Sequence, residues 1–163
     1  MVFGPDGLLY ISVRSLTDRA LGWILSFNLR TGAVTVVASN LTCTKLHRPD
    51  GLTFSPDGTK LYVTSIATSS DPADRILIFD RGTGACSDAI DLYQAGQPRA
   101  FAQYLLFGPG GSLFVPITNT GVVRRYDVST KTFVDFVSPG GPLGVGWGLT
   151  FGHTNPDTLA YSP

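Results

Sequence analysis

The sequence predicts an all-β fold made of repeated four-stranded antiparallel units, and three observations carry that prediction. One phrase recurs: Phe3-Gly-Pro-Asp-Gly-Leu-Leu-Tyr-Ile, Phe54-Ser-Pro-Asp-Gly-Thr-Lys-Leu-Tyr-Val and Phe107-Gly-Pro-Gly-Gly-Ser-Leu-Phe-Val. A fainter copy starts at Phe151 and runs through Asn155-Pro156-Asp157 to Tyr161, so the period is about 50 residues, the mark of stacked units. Each copy sets Pro-Asp-Gly or Pro-Gly-Gly between two apolar runs, which is a hairpin signal. No segment keeps a helical apolar period between a start and a stop signal, so helix is expected almost nowhere.

Along the chain, strands are expected near 8–13, 23–28, 33–38, 52–55, 60–66, 75–80, 88–93, 104–107, 113–118, 121–127, 132–137 and 148–151. After each hairpin a third apolar run ends in an aromatic and a short polar residue, at Phe27-Asn28, Phe79-Asp80 and Tyr126-Asp127. Turn residues follow, among them Gly32, Gly84 and Lys131, and then a fourth run rich in Val, Ile and Phe. Four short strands per repeat define the blade of a β-propeller. The blades are expected at about 1–40, 48–94 and 101–138, with a half blade over 146–163, all within one domain spanning 1–163. Closed propellers have about four to eight blades. The length therefore predicts a partial ring, roughly half of a six- or seven-bladed propeller, with self-association as one way to complete it.

Composition bounds the partners. With 12 basic and 12 acidic residues the formal charge is zero, which removes the electrostatic drive toward nucleic acid or an anionic membrane. No apolar run is long enough to span a membrane, and residues 1–30 lack the pattern of a signal peptide, so a soluble chain is expected. Cys43 and Cys86 permit a disulfide by parity, and Asn40-Leu41-Thr42 is a glycosylation acceptor pattern. Both would suit an extracytoplasmic or secreted protein, although no address is written in the residues. Connectivity argues against the disulfide: Cys43 follows a fourth strand on one rim and Cys86 precedes a fourth strand on the other. A strand spans about 17–20 Å, whereas a disulfide needs Cα atoms within about 7 Å.

The stretch Arg48-Pro-Asp-Gly-Leu-Thr-Phe-Ser-Pro-Asp-Gly-Thr-Lys-Leu-Tyr-Val63 resembles the blade signature of the gluconolactonase and senescence-marker family and of NHL-repeat propellers, both six-bladed. For the lactonases the resemblance implies a divalent metal, calcium or another hard cation, held at the top of the central channel by oxygen ligands from the inner strands. Asp50 resembles one such ligand. Aligning the repeats on Phe54, Phe107 and Phe151 places Gln103 and Trp147 at the equivalent positions; an amide can ligate, an indole cannot. The family's glutamate has no counterpart, since the chain contains no Glu. Against the metal reading, a carboxylate just before Gly51 is expected first to accept backbone N–H bonds in a turn.

Propeller connectivity gathers Arg14, Asp18, Arg19, His47, Arg48, Asp50, Asp71, Asp74, Arg99, Gln103, Asn119 and Trp147 on one rim. His47, Arg48, Asp50, Arg99, Gln103 and Trp147 are the candidate ligand-binding set, suited to a polar small molecule, a sugar or a peptide, and none of them is assigned a catalytic role. His47 could act as a base or ligand near neutral pH, but a lone loop histidine is ordinarily just solvated. No phosphate-binding glycine loop or nucleophile elbow is present. The expected function is non-catalytic, a ligand-binding or scaffold propeller of NHL-like type. The alternative is a metal-dependent lactone hydrolase whose other ligands lie outside this chain.

Overall fold

The structure, a computed structural model, describes residues 1–18, 20–68, 72–139, 144 and 146–151. Among them, three four-stranded antiparallel sheets follow one another in chain order. The first holds β1 (Val2–Phe3), β2 (Leu9–Arg14), β3 (Gly22–Phe27) and β4 (Val34–Ser39). The second holds β5 (Pro49–Phe54), β6 (Lys60–Ser65), β7 (Arg75–Asp80) and β8 (Cys86–Asp91). The third holds β9 (Leu106–Phe107), β10 (Leu113–Ile117), β11 (Val122–Asp127) and β12 (Thr132–Val137). The sole helical element among the described residues is a 3₁₀ turn at Pro109–Gly111. No helix there is long and apolar enough to cross a membrane.

The repeated turn chemistry explains why the sheets form where they do. Gly7 and Gly58 adopt φ of +75° and +68°, a left-handed conformation that costs glycine little. Their N–H groups close turns onto the carbonyls of Gly4 (2.9 Å) and Ser55 (2.8 Å). Asp6 and Asp57 each accept a backbone N–H two residues on, at 3.1 Å, so the repeated Asp-Gly pairs are turn architecture. The outer hairpins use the same device: Asn28, Asp80 and Asp127 accept N–H bonds from Arg30, Thr83 and Ser129. Hydroxyls of Ser55, Thr83 and Ser129, with those N–H bonds, hold the carboxyls of Asp57, Asp80 and Asp127 below their ordinary range.

The cores lie between blades. One cluster joins Tyr10, Ile24 and Ala38 of the first blade to Leu61, Val63, Leu77 and Phe79 of the second. Another joins Tyr62, Ile76, Ile78 and Ile90 to Phe107, Leu113, Val115 and Tyr126 of the third. Three of the four repeated phenylalanines meet an aromatic of the preceding blade edge to face. Phe54 lies 4.9 Å from Tyr10, Phe107 lies 5.0 Å from Tyr62, and Phe151 lies 4.9 Å from Phe114. This is the preferred arrangement for ring quadrupoles.

Three expectations need correction. Phe107 is buried, and Phe54 and Phe151 are partly so, but Phe3 is 62 % exposed because no blade in the structure packs on its side. Residues 148–151 form no strand, and the run around Tyr161 that should pair with them lies outside the described residues. Cys43 and Cys86 are bonded, with Cα atoms 5.8 Å apart. Opposite rims would keep the two cysteines apart only in a flat blade. Strands in a sheet rotate by about 20–25° each, so an outermost strand is turned far from the channel axis and no longer runs from rim to rim. The segment after β4 then crosses the face of the second blade: Cys43 and Leu46 are buried with Leu77, Phe79 and Cys86.

Candidate functional site

The inner strands converge on a cleft of about 180 Å³ lined by Met1 and Val2, by Asp50–Thr53, and by Gln103–Leu106. Gly51 makes the convergence possible. A Cβ there would lie 2.8 Å from the Gln103 carbonyl oxygen and 2.8 Å from the Tyr104 Cα, closer than real Cβ contacts allow. The glycine of the Pro-Asp-Gly motif therefore serves the close approach of two inner segments. Thr64 Oγ1 accepts the Gly51 N–H at 2.8 Å, and the Ser12 hydroxyl donates to the Asp50 carbonyl. These bonds fix the Asp50 backbone to both flanking second strands.

The Asp50 carboxylate is 34 % exposed at the mouth of the cleft, and among the described residues its partners are side chains rather than the N–H groups of its own turn. Gln103 Nε2 donates to Asp50 Oδ2 at 3.0 Å, and Arg14 Nη1 approaches the same oxygen at 4.0 Å. Gln103 Oε1 is buried with no hydrogen-bond partner among the described residues. The alignment that paired Asp50 with Gln103 thus finds a spatial counterpart, while Arg14, the last residue of β2, joins them from the rim.

The remaining candidates go elsewhere. Arg99 pairs with Asp74, Nη2 to Oδ1 at 2.8 Å. Asp74, only 3 % exposed, also accepts the N–H groups of Ala67 (2.6 Å) and Phe101 (2.8 Å). It anchors the interblade segment at Arg99 and Phe101 to the loop between β6 and β7 of the second blade. His47 Nδ1 donates to the Ala20 carbonyl at 3.0 Å, and Arg48 turns the chain at φ +40°. Asn119 Nδ2 donates to the Arg99 carbonyl, and Trp147 is 63 % exposed. Arg19 and Asp71 lie outside the described residues. Sequence reasoning missed Ser12, whose only signal is a short polar residue within an apolar strand. It also missed Arg124, 8 % exposed, which bonds Gln94 at 2.6 Å and covers the Phe133 ring at 4.3 Å.

The residues present do not fit a calcium centre. Calcium takes about six to eight oxygens, carboxylates foremost, whereas Asp50 is the single carboxylate among the described residues that line this cleft, and it is already bonded by the Gln103 amide. No group of three or more His, Cys, Asp or Glu side chains converges among the described residues.

No family model and no curated protein matches this chain. Solved structures do. A luciferin-regenerating enzyme matches with TM-score 0.64 and 18% identity, over 91% of this chain and 48% of that one. A chain of a nidogen/laminin complex gives TM-score 0.62 and 16% identity, over 88% and 47%. A calcium-binding regucalcin from Agrobacterium tumefaciens gives TM-score 0.53 and 21% identity, over 77% and 40%. The chain spans less than half the length of these structures. They are β-propellers, some of them gluconolactonase-like, and at such identities the likeness shows the fold alone: this chain consists of β-propeller blades.

Proposed function

We propose that the chain is a non-catalytic ligand-binding or scaffold propeller module of NHL-like type, taking a polar small molecule, a sugar or a peptide at the mouth of the inner-strand cleft. The observation that carries this reading is the state of Asp50. Its carboxylate is engaged by the Gln103 amide and faced by Arg14, so the mouth offers paired donors and acceptors rather than a cage of hard oxygens. Asp50 and Gln103 would contact the ligand, with His47, Arg48, Arg99 and Trp147 on the surrounding rim. The disulfide suits an oxidising, extracytoplasmic or secreted setting. Self-association that extends the ring is part of the reading.

The alternative, a lactone hydrolase completed by ligands from outside this chain, is favoured by one feature, the buried and unpartnered Gln103 Oε1. Calorimetric titration of the chain with glucono-1,5-lactone, with and without calcium, separates the two. Saturable heat without turnover, lost in Asp50→Ala, is expected. Calcium-dependent opening of the lactone would sink the binding reading and favour the hydrolase.

A further inference from the structure

The junction between the first and second blades holds a guanidinium. Arg81, the residue after the turn cap Asp80, donates from Nε to the Gly58 carbonyl at 2.8 Å and sets Nη1 3.6 Å from Asp6 Oδ2. The same oxygen accepts the Tyr10 hydroxyl at 2.8 Å. The next junction repeats these partners. Tyr62 packs on Phe107 as Tyr10 packs on Phe54, and Gly111 closes its turn at φ +71° as Gly58 does at +68°. Asp57 stands in the second hairpin where Asp6 stands in the first. Val128, however, follows the cap Asp127 in the place of Arg81. Asp57, Tyr62, Gly111 and Val128 all line one cleft of about 430 Å³. Tyr62 is 4 % exposed, and no described residue bonds its hydroxyl. Asp57 has no basic partner among the described residues, and its Oδ2 accepts only the Thr59 hydroxyl, at 2.9 Å. Lys60 also lines the cleft, but its charge acts on Asp80 and Asp88. A Cβ on Gly58 would lie 2.9 Å from Pro5, whereas one on Gly111 would meet no described atom within 4 Å. The first gap is closed and the second is open.

We propose that this cleft binds the guanidinium group of a ligand, held by Asp57 and the Gly111 carbonyl beside the Tyr62 hydroxyl, as Arg81 is held one blade earlier. Guanidinium is favoured over ammonium because its planar fork reaches a carboxylate and a carbonyl together. Charge-assisted bonds of this kind are about twice as strong as neutral ones. The volume falls within the range of about 300–1,000 Å³ usual for ligand pockets, and Pro56 and Phe107 give an alkyl stem an apolar wall. An arginine side chain on a peptide and a free guanidino compound share this chemistry. The site is separate from the Asp50 cleft. Asp50 lies near the start of β5 and Asp57 in the hairpin beyond its end, so the two open on opposite rims.

Calorimetric titration of the full chain with N-acetylarginine amide tests this, with the uncharged isostere N-acetylcitrulline amide as the comparison. Saturable binding of the arginine compound is expected, and the citrulline compound should bind about tenfold or more weakly. Asp57→Asn, which can still cap its own turn, should weaken the arginine compound to the same degree. Val128→Arg supplies the missing guanidinium from within the chain and should remove the binding. Circular dichroism checks that both variants fold, and if Val128→Arg does not, Asp57→Asn decides alone. A short neutral peptide carrying one arginine separates the sources: tighter binding than the capped amino acid assigns the site to a peptide, and equal binding assigns it to a free guanidino compound. Absence of saturable binding at low-millimolar ligand overturns the site. So does equal affinity for the citrulline compound, or a folded Asp57→Asn or Val128→Arg that binds as well as wild type.

Discussion

Single residues hold the interblade segments through buried polar chemistry. Asp74 collects the Arg99 guanidinium and two backbone N–H groups within 2.8 Å while almost fully buried. Removing it would leave the two backbone N–H groups without their acceptor, whereas the Arg99 side chain, 45 % exposed, can turn to water, so Asp74→Ala should destabilise by about 2–3 kcal/mol in urea unfolding. A change under about 1 kcal/mol would mean the site is wet. Tyr10 gives a second test. Burial above all, then the hydrogen bond to Asp6 at 2.8 Å, pushes its hydroxyl up from 10.0 to about 12. A raised folded-state value means that its proton stabilises the fold below pH 10 and that this stability is lost as pH rises toward 12. Tyr62 and Tyr126, raised chiefly by burial, act in the same direction. Tyr10→Phe should cost about 1 kcal/mol at neutral pH and flatten part of the alkaline loss. An alkaline profile identical to wild type would show that Tyr10 is not its source.

At the level of elements, what the sequence states most plainly is what local physics decides. Hairpin positions follow from Asp-Gly and from the Asx residues that cap the outer turns, and strand limits match to within a few residues. Phe54 and Phe107 are equivalent because each seats edge-on against the tyrosine of the blade before it. Phe107→Ala, which empties a site 3 % exposed, should cost about 3–5 kcal/mol. Phe3→Ala in a monomeric background should cost less than about 0.5 kcal/mol, since its ring touches water. Equal losses in thermal melts would refute the seating scheme. The site was legible only in part. Asp50 and Gln103 could be paired because they share a repeat position, but their hydrogen bond depends on Gly51 letting two inner segments touch. Arg99 looked like a ligand contact because sequence position does not reveal that Asp74, twenty-five residues earlier, captures it.

At the scale of the whole molecule, strand order alone did not settle the shape, and the cysteines show why. Pairing fixes which strands are neighbours, whereas the accumulated twist from inner to outer strand decides what lies across the gap between blades. That twist brings the outer strand of the second blade under the segment leaving the first, where Cys43 and Cys86 join residues 43 positions apart. The bond closes a loop containing β5, β6 and β7, and so ties the first blade to the second independently of their shared apolar core. A loop of that length restricts the unfolded chain by about 4 kcal/mol in the chain-entropy account. Measured effects of removing such a bond commonly fall at about 2–5 kcal/mol. Reduction should therefore lower unfolding stability by that amount, and Cys43→Ser with Cys86→Ser should reproduce the loss and abolish sensitivity to reductant. Non-reducing mass spectrometry of the folded chain should yield the Cys43–Cys86 cross-linked peptide. Two free thiols under oxidising conditions, or a reduced protein as stable as the oxidised one, would mean that the segment after β4 does not cross the second blade as described, and the packing of Leu46 beneath it would fall with it.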